Sequence, residues 1–149
     1  MPIKRENERL YPGGSIRSPE WRAIRERIRG RAGDSCEECG VPNHAMGGRL
    51  GGDGTFLPAS PTGDNGLRLT WPVPGEYGWC GPSSDLHRLR IVRIVCTVAH
   101  LDHNPAHNCD ANLRFLCQRC HNRHDQAHRR ANAAATRKAA AATGDLFGS

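Results

Sequence analysis

Two pairs of cysteines carry the most specific chemistry in this chain: Cys36-Glu37-Glu38-Cys39 and Cys117-Gln118-Arg119-Cys120. A C-x-x-C turn presents two thiolates from one side, and two such turns can close a tetrahedral shell of four sulfurs around Zn²⁺. The pairing predicts a structural zinc held by Cys36, Cys39, Cys117 and Cys120, a staple between two segments far apart in the chain. Zinc binding in small peptides is worth about 10 to 16 kcal/mol, as much as the whole stability of a small domain. Cys80, Cys96 and Cys109 have no partner at metal-ligand spacing and read as core or surface thiols, with Cys80 a rival for a ligand position.

A second constellation gathers His100, Asp102, His103 and Asn104, then Asn112, then His121, His124 and Asp125. On a helix His121 and Asp125 are i and i+4, so both project from one face and can hold one divalent cation. On a strand His100 and Asp102 share a face. A neutral imidazole, with an ordinary pKa of about 6.5, can take a proton from water near pH 7. A metal ion held by His and carboxylate neutralises a phosphate and its departing oxygen.

These side chains need elements to hold them. Ser18-Pro19-Glu20 is a helix start, with Trp21, Ile24 and Ile28 as its apolar stripe, and predicts a helix from Pro19 to about Arg29 that Gly30 or Gly33 ends. From Gly40 to Pro82, 17 of the residues are Gly or Pro, which reads as a long loop or short ribbons, with Trp71, Tyr77 and Trp79 available for burial. Leu89 to Leu101 is rich in β-branched residues and predicts one strand, with Cys96, Val98, His100 and Asp102 on one side and Val95, Thr97, Ala99 and Leu101 on the other. A loop over 103–112 follows, then a strand over Leu113 to Leu116. A helix from about Gln118 is prolonged by the Ala-rich run to Ala142 until Gly144 stops it.

With 149 residues, 37% hydrophobic and 5% aromatic, the chain has the length of one domain and a thin core. No apolar run reaches the roughly 18 residues of a membrane span, and the charged N-terminal segment has no signal-peptide character, so a soluble cytoplasmic protein is expected. In a reducing compartment paired cysteines mean metal rather than the disulfides of a secreted protein. Net charge is +6, and 19 of the 21 basic residues are Arg. Residues 1–35 carry +4, residues 36–110 carry −3 and residues 111–149 carry +5, a layout of basic flanks that suits DNA phosphates. The expected DNA contacts are Arg22, Arg25, Arg29, Arg119, Arg123, Arg129 and Arg130, mainly to the backbone.

The stretch Val98 to Asp125, VAHLDHNPAHNCDANLRFLCQRCHNRHD, together with the upstream helix and CEECG at 36–40, resembles the HNH endonuclease family, especially its small phage and prophage members with zinc knuckles. The resemblance implies a small zinc-stapled α+β domain with a ββα-metal (His-Me finger) core: two antiparallel strands and a helix around a divalent ion. With that core placed, the chain is expected to be one domain over 1–149: a flexible N-terminus (1–17), helix and first knuckle (18–40), a Gly/Pro-rich insertion (41–88), the ββα core (89–130) and an Ala-rich helix extension with tail (131–149). By position, His100 falls on the family's general base, Asn112 on the residue that fixes the loop and orients that base, and His121 and Asp125 on metal ligands. The departure is Ala99, where the family has a metal-binding Asp or His. Either Asp102 replaces that ligand, or the register shifts by three and Asp102-His103 is the true pair, which makes His103 the base. The implied activity is metal-dependent cleavage or nicking of DNA with Mg²⁺, Mn²⁺, Ni²⁺ or Zn²⁺, leaving 5′-phosphate and 3′-hydroxyl ends. Implied partners are DNA and phage packaging proteins, with no membrane, and the chain is expected to act as a monomer or dimer. The competing expectation is a zinc-stapled DNA-binding accessory of packaging whose catalysis Ala99 has impaired.

Overall fold

The computed structural model describes residues 5–50, 54–62, 68–70 and 91–147 of this small α+β protein. Trp71, Tyr77, Trp79 and Cys80 lie outside the described residues. The segment ahead of the first long helix, expected to be flexible, forms α1 (Arg5–Glu8) and a 3₁₀ turn (Pro12–Gly14), and Tyr11 meets the Trp21 ring edge-on at 5.1 Å. Helix α2 (Pro19–Arg31) begins as its sequence dictates, the Ser18 hydroxyl accepting from the Trp21 amide and Pro19 at the first helical position. It runs through Gly30 and stops where Gly33 takes a positive φ of 62°.

The Gly/Pro-rich segment does contain ribbons. Strand β1 (Met46–Arg49) pairs antiparallel with β2 (Phe56–Pro58), and β3 (Ser60–Thr62) pairs with β4 (Arg68–Thr70). Gly47 is required in β1, because a Cβ there would collide with the Leu57 carbonyl. The predicted 89–101 strand is two strands among its described residues. Strand β5 (Val92–Arg93) joins β1, and β6 (Cys96–His100) joins β7 (Leu113–Cys117). The break falls at Ile94, whose backbone is engaged by Ala45 and His44 and whose side chain is 1% exposed. The chain leaves one sheet there and enters the next.

Strands β6 and β7 form an antiparallel pair in the register Cys96 opposite Cys117 and His100 opposite Leu113. Helix α3 (Gln118–Phe147) starts directly at the end of β7. It continues through Gly144, which costs about 1 kcal/mol relative to Ala but does not end a helix carried by so many alanines. From Gln126 to Gly144 its residues are exposed. The core is thin, as the composition required: Trp21 and Ile28 of α2 lie with Val41, Ile94, Ala99, Leu113, Phe115, Leu116 and the buried cysteines. Among the described residues no helix is long and apolar enough to cross a membrane.

Candidate metal centres

The two knuckles come together as their spacing predicts. The first is closed by the Gly40 amide donating to the Cys36 carbonyl (2.8 Å) and the Cys36 amide to the Val41 carbonyl (2.9 Å), with Gly40 at φ 74° completing a turn that a side chain would strain. The second spans the strand-to-helix junction, Cys117 ending β7 and Cys120 lying in the first turn of α3. The sulfurs of Cys36, Cys39, Cys117 and Cys120 lie within 4.8 Å of one another, a group that could hold a metal ion such as zinc. Cys39 and Cys117 sulfurs are 3.7 Å apart, against about 3.8 Å for the edge of a tetrahedron with 2.3 Å Zn–S bonds.

Hydrogen-bond donors reach two of the four sulfurs. The Cys117 amide donates to the Cys36 sulfur (3.3 Å), and the Arg49 guanidinium from β1 donates to the Cys117 sulfur (3.5 Å), bringing a positive charge to the group. Desolvation pushes the Cys39 thiol up, but the Val41 amide and the neighbouring thiols outweigh it and hold it down at about 7. Burial, the largest influence on both, pushes the Cys117 and Cys120 thiols up. Cys96, opposite Cys117 in the sheet, is pushed up to about 12 by burial and the adjacent thiols, so it remains a neutral packing residue. The acids inside the first knuckle brace it. Glu37 accepts from Arg31 and from the Phe115 amide, and Glu38 accepts from Arg123 at 2.6 Å.

The second constellation assembles with a different membership from the expected one. His103 lies just beyond β6 in a turn with φ 59°, a left-handed conformation costly for a residue with a Cβ. The turn swings its ring onto α3, stacked on His128 at 4.2 Å and His124 at 4.8 Å. The His103 Nδ1 is 3.5 Å from Asp125 Oδ1, and His121 Nε2 is 3.4 Å from Asp125 Oδ2. One carboxylate thus lies between a loop histidine and a helix histidine. The ligand atoms of His103, His124 and Asp125 fall within 4.8 Å of one another. The His124 Nε2 is buried with no hydrogen-bond partner among the described residues, an atom a cation would satisfy. Burial holds both His103 and His121 below the ordinary imidazole range, against the pull of Asp125, which favours the neutral form a metal needs.

His100 does not join them. Its ring stacks on Trp21 (5.5 Å, 11° between planes) and meets Tyr11 edge-on at 5.7 Å, and its Nε2 bonds the Asn108 side-chain oxygen at 2.9 Å. The reason is strand alternation: Thr97, on the opposite face of β6, reaches His121 of α3 (3.1 Å), so His100 faces α2 instead. Ala99 is 2% exposed and contributes only packing. Asp102 lies past the end of β6, not on the strand, and its carboxylate is consumed by the loop. It accepts from the Asn104 amide (2.9 Å) and Asn112 Nδ2 (2.9 Å) and pairs with His107 Nδ1 (2.6 Å). These bonds hold it well below the usual carboxylate range and leave it out of the His–Asp125 cluster. Asn112, 8% exposed, pins the loop by accepting from the Asp102 amide and donating to the Asp102 carboxylate and the His107 carbonyl.

His128 lies outside the constellation that the sequence suggests, although His121, His124 and His128 at i, i+3 and i+7 share a helical face. The seven arginines divide. Arg29 is bound by Asp34 and Arg123 by Glu38, while Arg129 reaches Asp125 (3.6 Å) and Asn122. Arg119 packs beside Gly54, where a Cβ would strike its guanidinium. Arg22 and Arg25 are exposed on α2, and exposed Arg130 lines a shallow groove along α3 with Asn122, Arg123, Gln126 and Arg129. Compared with known proteins, the chain matches no family model, no curated protein and no solved structure.

Proposed function

We propose that this protein is a metal-dependent DNA endonuclease or nickase of the HNH type, folded around a structural zinc at Cys36, Cys39, Cys117 and Cys120. What carries the reading is the convergence of His103, from the loop between two antiparallel strands, with His124 and Asp125 of the helix that follows them. In this reading His121, His124 and Asp125 hold a divalent cation, and His103 is the base that accepts a proton from the attacking water. Bound there, the cation neutralises the phosphate and the leaving oxygen. Asn112 fixes the loop and so sets where the His103 ring stands, while Thr97 holds the His121 ring through Nδ1. Arg22, Arg25 and Arg130 offer exposed guanidinium groups to the DNA backbone.

Nicking of supercoiled plasmid across a Mn²⁺ series tests it. His103→Ala should abolish cleavage at every metal concentration, and Asp125→Ala should be partly rescued by more metal. His100→Ala should retain activity while it stays folded. Full activity in His103→Ala would reject the assigned base, and full activity in both His103→Ala and Asp125→Ala would reject the nuclease reading. A wild-type protein that binds plasmid but never nicks it would favour the accessory DNA-binding role, for which a buried Ala99, unable to ligate, is the supporting observation.

A further inference from the structure

The loop over 101–112 holds a second chemical constellation that shares no residue with the proposed metal site. The Cys109 sulfur lies 3.1 Å from His107 Nε2, and His107 Nδ1 lies 2.6 Å from Asp102 Oδ2. The thiol and the carboxylate therefore occupy opposite nitrogens of one imidazole. This is a linear relay and not a chelate, since Cys109, His107 and Asp102 do not form a group of mutually close ligand atoms as the knuckle cysteines do. The tautomer follows from the partners. An ionised carboxylate can only accept, so Nδ1 carries the hydrogen and Nε2 turns its lone pair to the thiol.

The relay is also anchored. Asp102 is fixed by the Asn104 amide and the Asn112 side chain, and the Ala106 amide donates to the Asn104 side chain, so the carboxylate that orients the imidazole is itself held in place. Among the described cysteines, Cys36, Cys96, Cys117 and Cys120 are buried and Cys39 belongs to the proposed zinc shell, whereas Cys109 is exposed. Nucleophile, base and orienting acid in hydrogen-bond sequence are the arrangement that activates a thiol.

We propose that Cys109 is a nucleophilic thiol, activated by the His107–Asp102 pair, and a modification site for small soft electrophiles and hydroperoxides. In the reaction with a hydroperoxide, His107 takes the thiol proton and the sulfur attacks the terminal peroxide oxygen. The S–O bond forms as the O–O bond breaks, and the departing oxygen leaves with the proton from His107. Cysteine is oxidised to sulfenic acid and the peroxide is reduced to water or an alcohol.

The test is site-resolved mass spectrometry on the full, zinc-loaded chain treated with limiting iodoacetamide, and separately with one equivalent of hydrogen peroxide plus dimedone. Cys109 should alkylate about threefold or more faster than glutathione at pH 7, and its rate should rise less between pH 7 and pH 9 than that of glutathione. His107→Ala should slow it to about the glutathione rate and restore the glutathione-like rise with pH, and the dimedone adduct should fall on Cys109 in wild type and disappear in His107→Ala. Equal Cys109 rates in wild type and His107→Ala, both with unchanged zinc content and circular dichroism, would overturn the proposal. Should His107→Ala fail to fold, the wild-type pH profile decides alone: a Cys109 rate that tracks glutathione from pH 7 to 9 overturns it as well.

Discussion

His103 and Asp125 meet across two elements, Nδ1 to Oδ1 at 3.5 Å, although one stands in a left-handed turn after β6 and the other on the second turn of α3. Asp125 also receives His121 and Arg129 on its other oxygen. This carboxylate is the hub of the cluster. Asp125→Ala should reduce Mn²⁺ affinity by more than about 100-fold, beyond the roughly 10- to 100-fold loss typical of an outer-sphere partner. Isothermal titration of the zinc-loaded protein would check it, and unchanged Mn²⁺ binding would count against the site.

His100 should behave as a packing residue. His100→Ala removes a ring stacked on Trp21 and edged by Tyr11 and unhooks the Asn108 side chain, for a loss of about 1 to 3 kcal/mol. Urea unfolding should show this loss while Mn²⁺ affinity stays at the wild-type value. The opposite result, lost metal binding at unchanged stability, would return His100 to the metal site.

The zinc staple should decide folding. Elemental analysis should find about one zinc per chain, and Cys117→Ser should lose it and unfold or aggregate, because the core is thin and Cys117 is a fully buried member of the group. Arg49→Ala, which removes the guanidinium from the Cys117 sulfur, should weaken zinc binding about 10- to 100-fold in competition with a chelator. Soluble, folded protein free of zinc would contradict the staple.

Acid should release the clamp between α2 and the turn ahead of β7. Arg27 donates to both oxygens of Asp110, which lowers the Asp110 pKa, first through the hydrogen bonds and then through the charge. A carboxylate depressed on folding stabilises above its unfolded pKa of about 3.9, and the contribution is lost as pH falls through the lower folded value. The difference in urea midpoint between wild type and Arg27→Ala should therefore hold from pH 7 to pH 5 and shrink below pH 4. Both groups are exposed, so the difference is small, and one that grew on acidification would refute the clamp.

DNA affinity should fall steeply with salt, the logarithm of the binding constant dropping with a slope of about −0.9 per phosphate contacted. Removing Arg22, Arg25 or Arg130 should each reduce the slope by about one, whereas Arg29→Ala, already bound by Asp34, should leave it unchanged. Fluorescence anisotropy between 50 and 200 mM salt measures both. A flat dependence would remove the phosphate-contact reading.

Much of the chain was legible from local rules. The Ser18 cap, the two knuckles, the strand at 113–117 and the helix after it are written in neighbouring residues, since caps, C-x-x-C turns and β-branched runs act over a few positions. Periodicity also placed His100 opposite Thr97 on the 96–100 strand. What it could not supply was which face of that strand meets which helix. That assignment is tertiary: α2 covers the His100 face with Trp21, α3 comes to the Thr97 face, and His103 reaches α3 through a left-handed turn. The same holds for Asp102, whose partners Asn112 and His107 were chosen by the closure of a loop. A strand pattern gives alternation without a sign, and only the packing of the two helices on β6 and β7 supplied it.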